Sequence, residues 1–154
     1  MAVAEVWRRA RRGPWRVAVA EESMAPAIEP GDWLLVDPTV RRWPRRGSVV
    51  VVRQPGTGML VVKRVAAGPR DVVLAGSEYV QLDDEAWLLG DGGGHSVDSR
   101  HYGAVPLDAL VARAWFRFWP PHRIGTIPRR QAGNARAARS TIASKGPPRR
   151  LRRR

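Results

Sequence analysis

From residue 15 to residue 120 the chain repeats one pattern: a short run of β-branched and aromatic residues, continuous or alternating, closed by Pro and Gly. Runs of that length between such breaks are the pattern of strands. They predict strands over residues 15–20, 33–37, 48–53, 59–67, 72–75, 79–82, 86–89 and 111–119. The breaks stand at Pro30-Gly31, 44–47, 55–58, Gly68-Pro69 and 90–94. The last run alternates Val111, Arg113, Trp115, Arg117 and Trp119 with Ala112, Ala114, Phe116 and Phe118, the period of a strand with two unlike faces. One helical turn is predicted near 106–110. Many short strands at close spacing imply an all-β or mainly β fold, a coiled sheet or barrel with little helix.

Past Pro120-Pro121 the apolar runs stop, and Arg, Ala, Gly, Pro and Ser take over. That composition predicts a disordered basic tail over 121–154. The chain then divides into a basic N-terminal leader at 1–14, a folded domain at 15–120 and the tail. The formal net charge is +13, but 11 of the 27 Lys and Arg residues lie in the tail with no acid beside them. Leader and domain together hold the other 16 against 14 acidic residues. The charge therefore belongs to the tail, which suits peripheral contact with an anionic membrane. The domain shows no basic stripe with interleaved stacking aromatics, so no specific nucleic-acid partner is expected. No stretch approaches the roughly 20 apolar residues that span a bilayer. The start, MAVAEVWRRARRGPWR, reads as a solvated, partly helical leader, with a short basic helix on a membrane surface as the alternative. With no cysteine, disulfides, thiol catalysis and Cys-based zinc sites are excluded.

The stretch AEESMAPAIEPGD, residues 20–32, places Ser23 in a turn-rich segment. As a nucleophile it needs a base, and histidine is the usual one. His95 stands beside Ser96 and near Asp98, but Ser96 lacks the Gly-x-Ser-x-Gly elbow that presents a nucleophile. A loop histidine exposed to water is the simpler account of His95, and His101 and His122 have no better context. Lysine is the other candidate. The chain uses Arg 25 times and Lys twice, at Lys63 and Lys145. Lys145 lies in the tail, whereas Lys63 lies in MLVVKRVAA, a strongly apolar strand. Arg keeps its proton in a protein, but a desolvated Lys loses it more readily. A neutral lysine amine is able to take the proton of a serine hydroxyl. On the residues alone two readings of Lys63 stay open: a base, or a lysine whose stem packs on the sheet while its head reaches water.

Four segments, in order, resemble the bacterial type I signal peptidases. SMAPAIEPGD (23–32) is similar to the family's nucleophile box, Ser-Met-x-Pro followed by Gly-Asp. RRGSVVVV (45–52) is similar to its Arg-Gly-Asp-x-Val strand. VVKRVAAGPRD (61–71) is similar to the Lys-Arg-Val box that carries the general base. GDGGGHSVDSRHYGAVP (90–106) is similar to its Gly-Asp-Asn and Ser-x-Asp-Ser-Arg box. The resemblance implies the coiled, mainly β catalytic fold of that family, with Ser23 as nucleophile and Lys63 as base. It implies that Ser96 orients the lysine, that Asp98 and Arg100 form an ion pair beside the site, and that Met24 shapes the nucleophile turn. There are departures. Ser48 stands where the family usually has Asp, and Gly92-Gly93 replaces Asn-Arg. Glu21 stands where the family often has a serine that lends its hydroxyl to the oxyanion hole, and an ionised carboxylate has no proton to donate.

The resemblance further implies an extended peptide substrate laid between two walls, Val17, Val19 and Ala20 on one side and Val61 and Val62 on the other. The expected partner is a precursor protein whose N-terminal leader is cut after small residues, with no metal and no organic cofactor. The family's membrane anchor has no counterpart in this reading, so the expected place is a bacterial cell, in the cytoplasm or peripheral to the membrane. Three other readings stand beside it. A short, anchorless member also resembles the maturation proteases of nickel superoxide dismutase. The self-cleaving repressors of the SOS response share a Ser-Lys dyad, but only about 15 residues precede the first strand, too few for a helix-turn-helix domain. A non-enzymatic membrane or nucleic-acid binder rests on the basic tail alone.

Overall fold

The computed structural model describes residues 6–7 and 15–130. Of the leader expected before Trp15, solvated and partly helical, Val6 and Trp7 are described, and they form a strand paired with Val17 and Arg16 instead of a helical turn; the rest of the leader and the tail beyond Arg130 fall outside the described residues.

Branched and aromatic side chains favour the pleated, extended backbone, and each predicted run is a strand. After β1 (Val6–Trp7) come β2 (Trp15–Ala18), β3 (Trp33–Asp37), β4 (Val49–Arg53) and β5 (Leu60–Ala67). They are followed by β6 (Val72–Ala75), β7 (Glu78–Gln81), β8 (Trp87–Leu89), β9 (Leu110–Trp119) and β10 (Gly125–Thr126). One antiparallel sheet runs in the order β1-β2-β3-β9-β4-β5-β8, with β10 pairing β9. β6 and β7 form a separate hairpin. The turn expected near 106–110 is a 3-10 turn, Leu107–Ala109. A short helix, α1 (Ser99–Tyr102), was not predicted.

β9 is the strand around which the sheet coils. It pairs with β3 along residues 113–119. Its other edge pairs with β4 at 110–114 and with β10 at 116–117. Register shifts interrupt the ladders of β9 with β3 and β4, and of β5 with β8. Such bulges bend a strand and raise its twist, so the sheet closes around apolar material on both faces. Val49, Val51 and Val62 belong to one buried cluster, with Val17, Met24 and Leu34. Val50, Val52, Val61 and Val65 belong to a second. That is why β4 and β5 read as continuous valine runs rather than alternating ones. In β9 the alternation is real, but alanine is the core residue. Ala112 and Ala114 are buried, whereas Trp115 and Trp119 are 43% and 51% exposed.

The predicted end of the domain at residue 120 is corrected. Residues 121–130 are folded onto the sheet. A 3-10 turn, Pro121–Arg123, leads into β10, and the Ile127 amide donates to the Trp115 carbonyl at 3.1 Å. Backbone pairing, arginine hydrogen bonds and Ile127, packed against the first cluster, hold this segment, and one apolar side chain among Arg, Pro and Gly is too little for a composition reading to recognise as order.

Candidate active site

Ser23 lies in the loop that joins β2 to β3. The loop is fastened at its base: the Val19 amide donates to the Asp32 carbonyl at 2.9 Å, and the Gly31 amide to the Val19 carbonyl at 2.8 Å. Gly31 has φ +92°, which a side chain would strain. Met24 and Ile28 plug the loop into the first cluster, so Met24 is an anchor and Ser23, next to it, is left at the surface of the turn. Asp32, buried, accepts from the Glu29 amide at 2.9 Å and from Arg117 Nη1 at 3.2 Å, and it pairs with Arg123 at 3.3 Å. Arg117 also donates to the Ala27 carbonyl at 2.8 Å, and Arg123 pairs with Glu29. Sequence reasoning missed both arginines. Their partners lie 85 to 97 residues away in the chain, and only the alternating register of 111–119 hinted that Arg117 had a preferred side.

Lys63 sits on β5 directly opposite Val50 of β4, on the face that packs the second cluster. It is 1% exposed, and Nζ donates to Ser96 Oγ at 3.2 Å. Burial lowers the pKa of its amine. The charges of Glu21 and Asp98 push in the opposite direction, and Arg100 adds to the lowering. Arg64, the next residue, points the other way. It is fully buried, pairs with Asp91 at 2.6 Å, and donates to the carbonyls of Gly47 at 2.8 Å and Pro128 at 3.0 Å.

Ser96 is positioned by the segment that leads into α1. Asp98 caps α1 and accepts from the amides of Arg100 at 3.1 Å and Gly90 at 3.0 Å. The Arg100 guanidinium grips the same carboxylate at 2.7 and 2.9 Å. Burial alone would raise the Asp98 pKa, but the hydrogen bonds from Arg100 and Gly90 outweigh it and hold the carboxyl below its ordinary value. Asp98 is therefore kept ionised by its own partners rather than by Lys63. Ser99 Oγ takes the Leu88 amide at 2.9 Å and ties the helix to β8. Gly90 lies at the crossing of these parts. A Cβ there would stand 2.0 Å from Ser96 Oγ and 2.5 Å from the Ser23 carbonyl oxygen. The Gly92 amide donates to that same carbonyl at 2.9 Å. The nucleophile loop and the Ser96 loop are thus clasped to each other through glycine.

In front of Ser23 lies a shallow groove. Val19, Ala20, Glu21, Ser23 and Met24 line one wall, and Leu60, Val61 and Val62 the other. Of the expected wall residues, Val17 is the exception. It is turned into the first cluster, because β2 alternates and places Val17 on its inner face. The Ser48 hydroxyl, in the position where an aspartate is usual in the resemblance, is buried and has no hydrogen-bond partner among the described residues. The Tyr102 hydroxyl is likewise buried without one, and burial raises its pKa. The His95 side chain lies outside the described residues. No group of three or more metal-ligating side chains is present among the described residues.

In sequence, the chain is similar to known peptidases. Residues 73–119 match the family described as signal peptidase, peptidase S26, and residues 1–77 match the family described as peptidase S24-like. The mitochondrial inner membrane protease subunit 1 of Schizosaccharomyces pombe is 33% identical over 116 residues, covering 68% of this chain and 74% of that protein. The chain belongs to the type I signal peptidase family. Signal peptidase I of Leptolyngbya laminosa is 29% identical, covering 71% of this chain and 70% of the relative. The human mitochondrial inner membrane protease subunit 1 is 30% identical, covering 68% and 69%. As a member of the signal peptidase family the protein is a serine-type peptidase.

These relatives overturn the expectation of a bacterial protein in the cytoplasm or peripheral to the membrane. Mitochondrial inner membrane proteases of a yeast and of humans stand among them beside a cyanobacterial signal peptidase. The boxes that carried the resemblance encode chemistry, and the same chemistry serves in several compartments. Among the described residues no helix is long and apolar enough to cross a membrane.

Proposed function

We propose that this signal peptidase family member removes an N-terminal leader or signal peptide from a precursor protein with a Ser23–Lys63 dyad, cutting after small residues. The observation that carries the reading is Lys63, an amine 1% exposed in an apolar site whose hydrogen bond goes to the neutral Ser96 hydroxyl. A buried lysine kept for structure would be expected to meet a carboxylate, which favours the ammonium. A base needs the reverse. Neutral Nζ takes the proton of Ser23 Oγ as the oxygen attacks the scissile carbonyl carbon. The ammonium then protonates the leaving amine as the C–N bond breaks, which leaves an acyl-enzyme. Lys63 next takes a proton from water, the resulting hydroxide attacks the ester, and Ser23 Oγ recovers its proton. In this scheme Ser96 orients the amine, Asp98 and Arg100 hold the Ser96 loop, and Met24 anchors the turn. The Ser23 amide donates to no group among the described residues and is free to hold the oxyanion.

The groove supports an extended substrate. β8 pairs with β5 only at Arg64, Val65 and Ala67, so residues 60–63 keep an open edge among the described residues. A peptide strand added there gains main-chain hydrogen bonds, and the shallow walls at Val19, Ala20, Val61 and Val62 admit small side chains best. The names of the relatives, signal peptidases and inner membrane proteases, support the class of substrate. The test is turnover of a leader peptide by Ser23→Ala, Lys63→Ala and Lys63→Arg proteins, with circular dichroism as folding control. Each variant is expected to lose more than about a thousandfold in kcat, because nucleophile and base act as a unit. Lys63→Arg fails with the others because a guanidinium keeps its proton. A folded Lys63→Ala protein with full activity would remove Lys63 from the mechanism.

A further inference from the structure

Four carboxylates around the nucleophile and Ser96 loops each have an arginine. Asp32 has Arg117 and Arg123, Asp91 has Arg64, Asp98 has Arg100, and Glu29 has Arg123. Glu21 has none. It is half-buried, two residues before Ser23, and its carboxylate makes no hydrogen bond or ion pair among the described residues. Apart from Ser23, the other side chains of the groove wall are apolar: Val19, Ala20, Met24, Leu60, Val61 and Val62. A lone charge against an apolar wall is poorly solvated, and it gains when a cation arrives. The groove that would take the peptide therefore offers it one charge, and that charge is negative.

We infer that Glu21 is a specificity residue that selects a basic side chain, Lys or Arg, within two residues of the bond to be cleaved. This rests on the peptidase reading above. Glu21 and Ser23 line one groove two residues apart, and two residues of chain span at most about 7 Å, so the carboxylate lies beside the residues next to the scissile bond. A pair formed there is partly desolvated and exceeds an exposed ion pair in strength. The cation also does something to the chemistry. The negative charge of Glu21 reaches Lys63 and favours its ammonium. A substrate cation seated on Glu21 offsets that charge and frees the neutral amine, so the substrate that fits also readies the base.

The experiment uses the full chain and a leader peptide with alanine at the first and third positions before the bond. Lysine, or norleucine as its uncharged counterpart, is placed singly at the second position before the bond and at the first and second positions after it. For the wild type, one position is expected to favour lysine over norleucine by about fivefold in kcat/KM. In Glu21→Gln the two peptides should become equal, and in Glu21→Asp part of the preference should return. A merely structural Glu21 would lower the rates of both peptides together and leave their ratio unchanged. Equal cleavage of all peptides by the wild type, or a preference that survives in Glu21→Gln, overturns the inference and leaves the peptidase reading standing. If no peptide of the set is cleaved in a Ser23-dependent way, both fall.

Discussion

A lysine amine serves as a base only if its surroundings make the charged form unwelcome and its lone pair has somewhere to point. For Lys63 in the proposed dyad, burial under the valines of β4 and β5 would supply the first condition and Ser96 the second. Ser96→Ala should therefore slow turnover without stopping it. A lost hydrogen bond of about 1–3 kcal/mol corresponds to roughly tenfold or more in rate. A rate equal to wild type in a single-turnover assay would assign the hydroxyl no orienting part. The pH profile carries the sign. If Lys63 is the proposed base it must be neutral to act, so kcat/KM should rise with pH through its pKa, and burial should put that limb below the 10.5 of a free lysine amine. Glu21→Gln removes a negative charge that favours the ammonium, so its rising limb should move to lower pH. His95→Ala should keep the wild-type limb. A limb that vanished with His95→Ala would make histidine the base.

At the scale of elements, two adjacent residues of β5 divide the work. Lys63 faces one side of the strand and Arg64 the other, where Arg64 ties β5 to the Gly47 turn and to Pro128. Removing one partner of such a buried pair typically costs about 3–5 kcal/mol. Arg64→Ala should thus lower the melting temperature strongly, with loss of activity following from unfolding. Gly90→Ala tests the clasp between the two loops. Its Cβ would fall 2.0 Å from Ser96 Oγ and 2.5 Å from the Ser23 carbonyl oxygen, so one loop must move. The expected result is a folded protein destabilised by about 1–3 kcal/mol, with kcat reduced far more than KM. An unchanged kcat would mean that the loops tolerate separation. The strand runs were legible because period and turn residues are local signals. The clasp was not, because a glycine at residue 90 does not announce which serine it makes room for.

At the scale of the whole molecule, the segment after the last long strand is part of the fold that carries the candidate site. Arg123 reaches Glu29 and Asp32 in the nucleophile loop, and Pro128 accepts from Arg64. Truncation after Arg130 should leave the melting temperature and peptide cleavage close to those of the full chain. Truncation after Pro120 removes β10 and Arg123, and should lower the melting temperature by several degrees while loosening Ser23. Equal activity of both truncated forms would show that the segment contributes nothing to the site.

The sequence by itself determined the strands, because each run and its Pro or Gly break act within a few residues. It also determined the chemistry on offer: no thiol, one lysine in an apolar run, and a serine in a turn. Only the tertiary structure decided which alanines of β9 fill the core and that Val17 is spent on packing rather than on the groove. It alone decided that Asp32 and Asp91 each receive an arginine while Glu21 receives none. The physical reason is range. Backbone preference is set by neighbours in the chain, whereas burial, and the pairing of charges that burial demands, is set by residues brought together from as far as 85 positions apart, as Asp32 and Arg117 are.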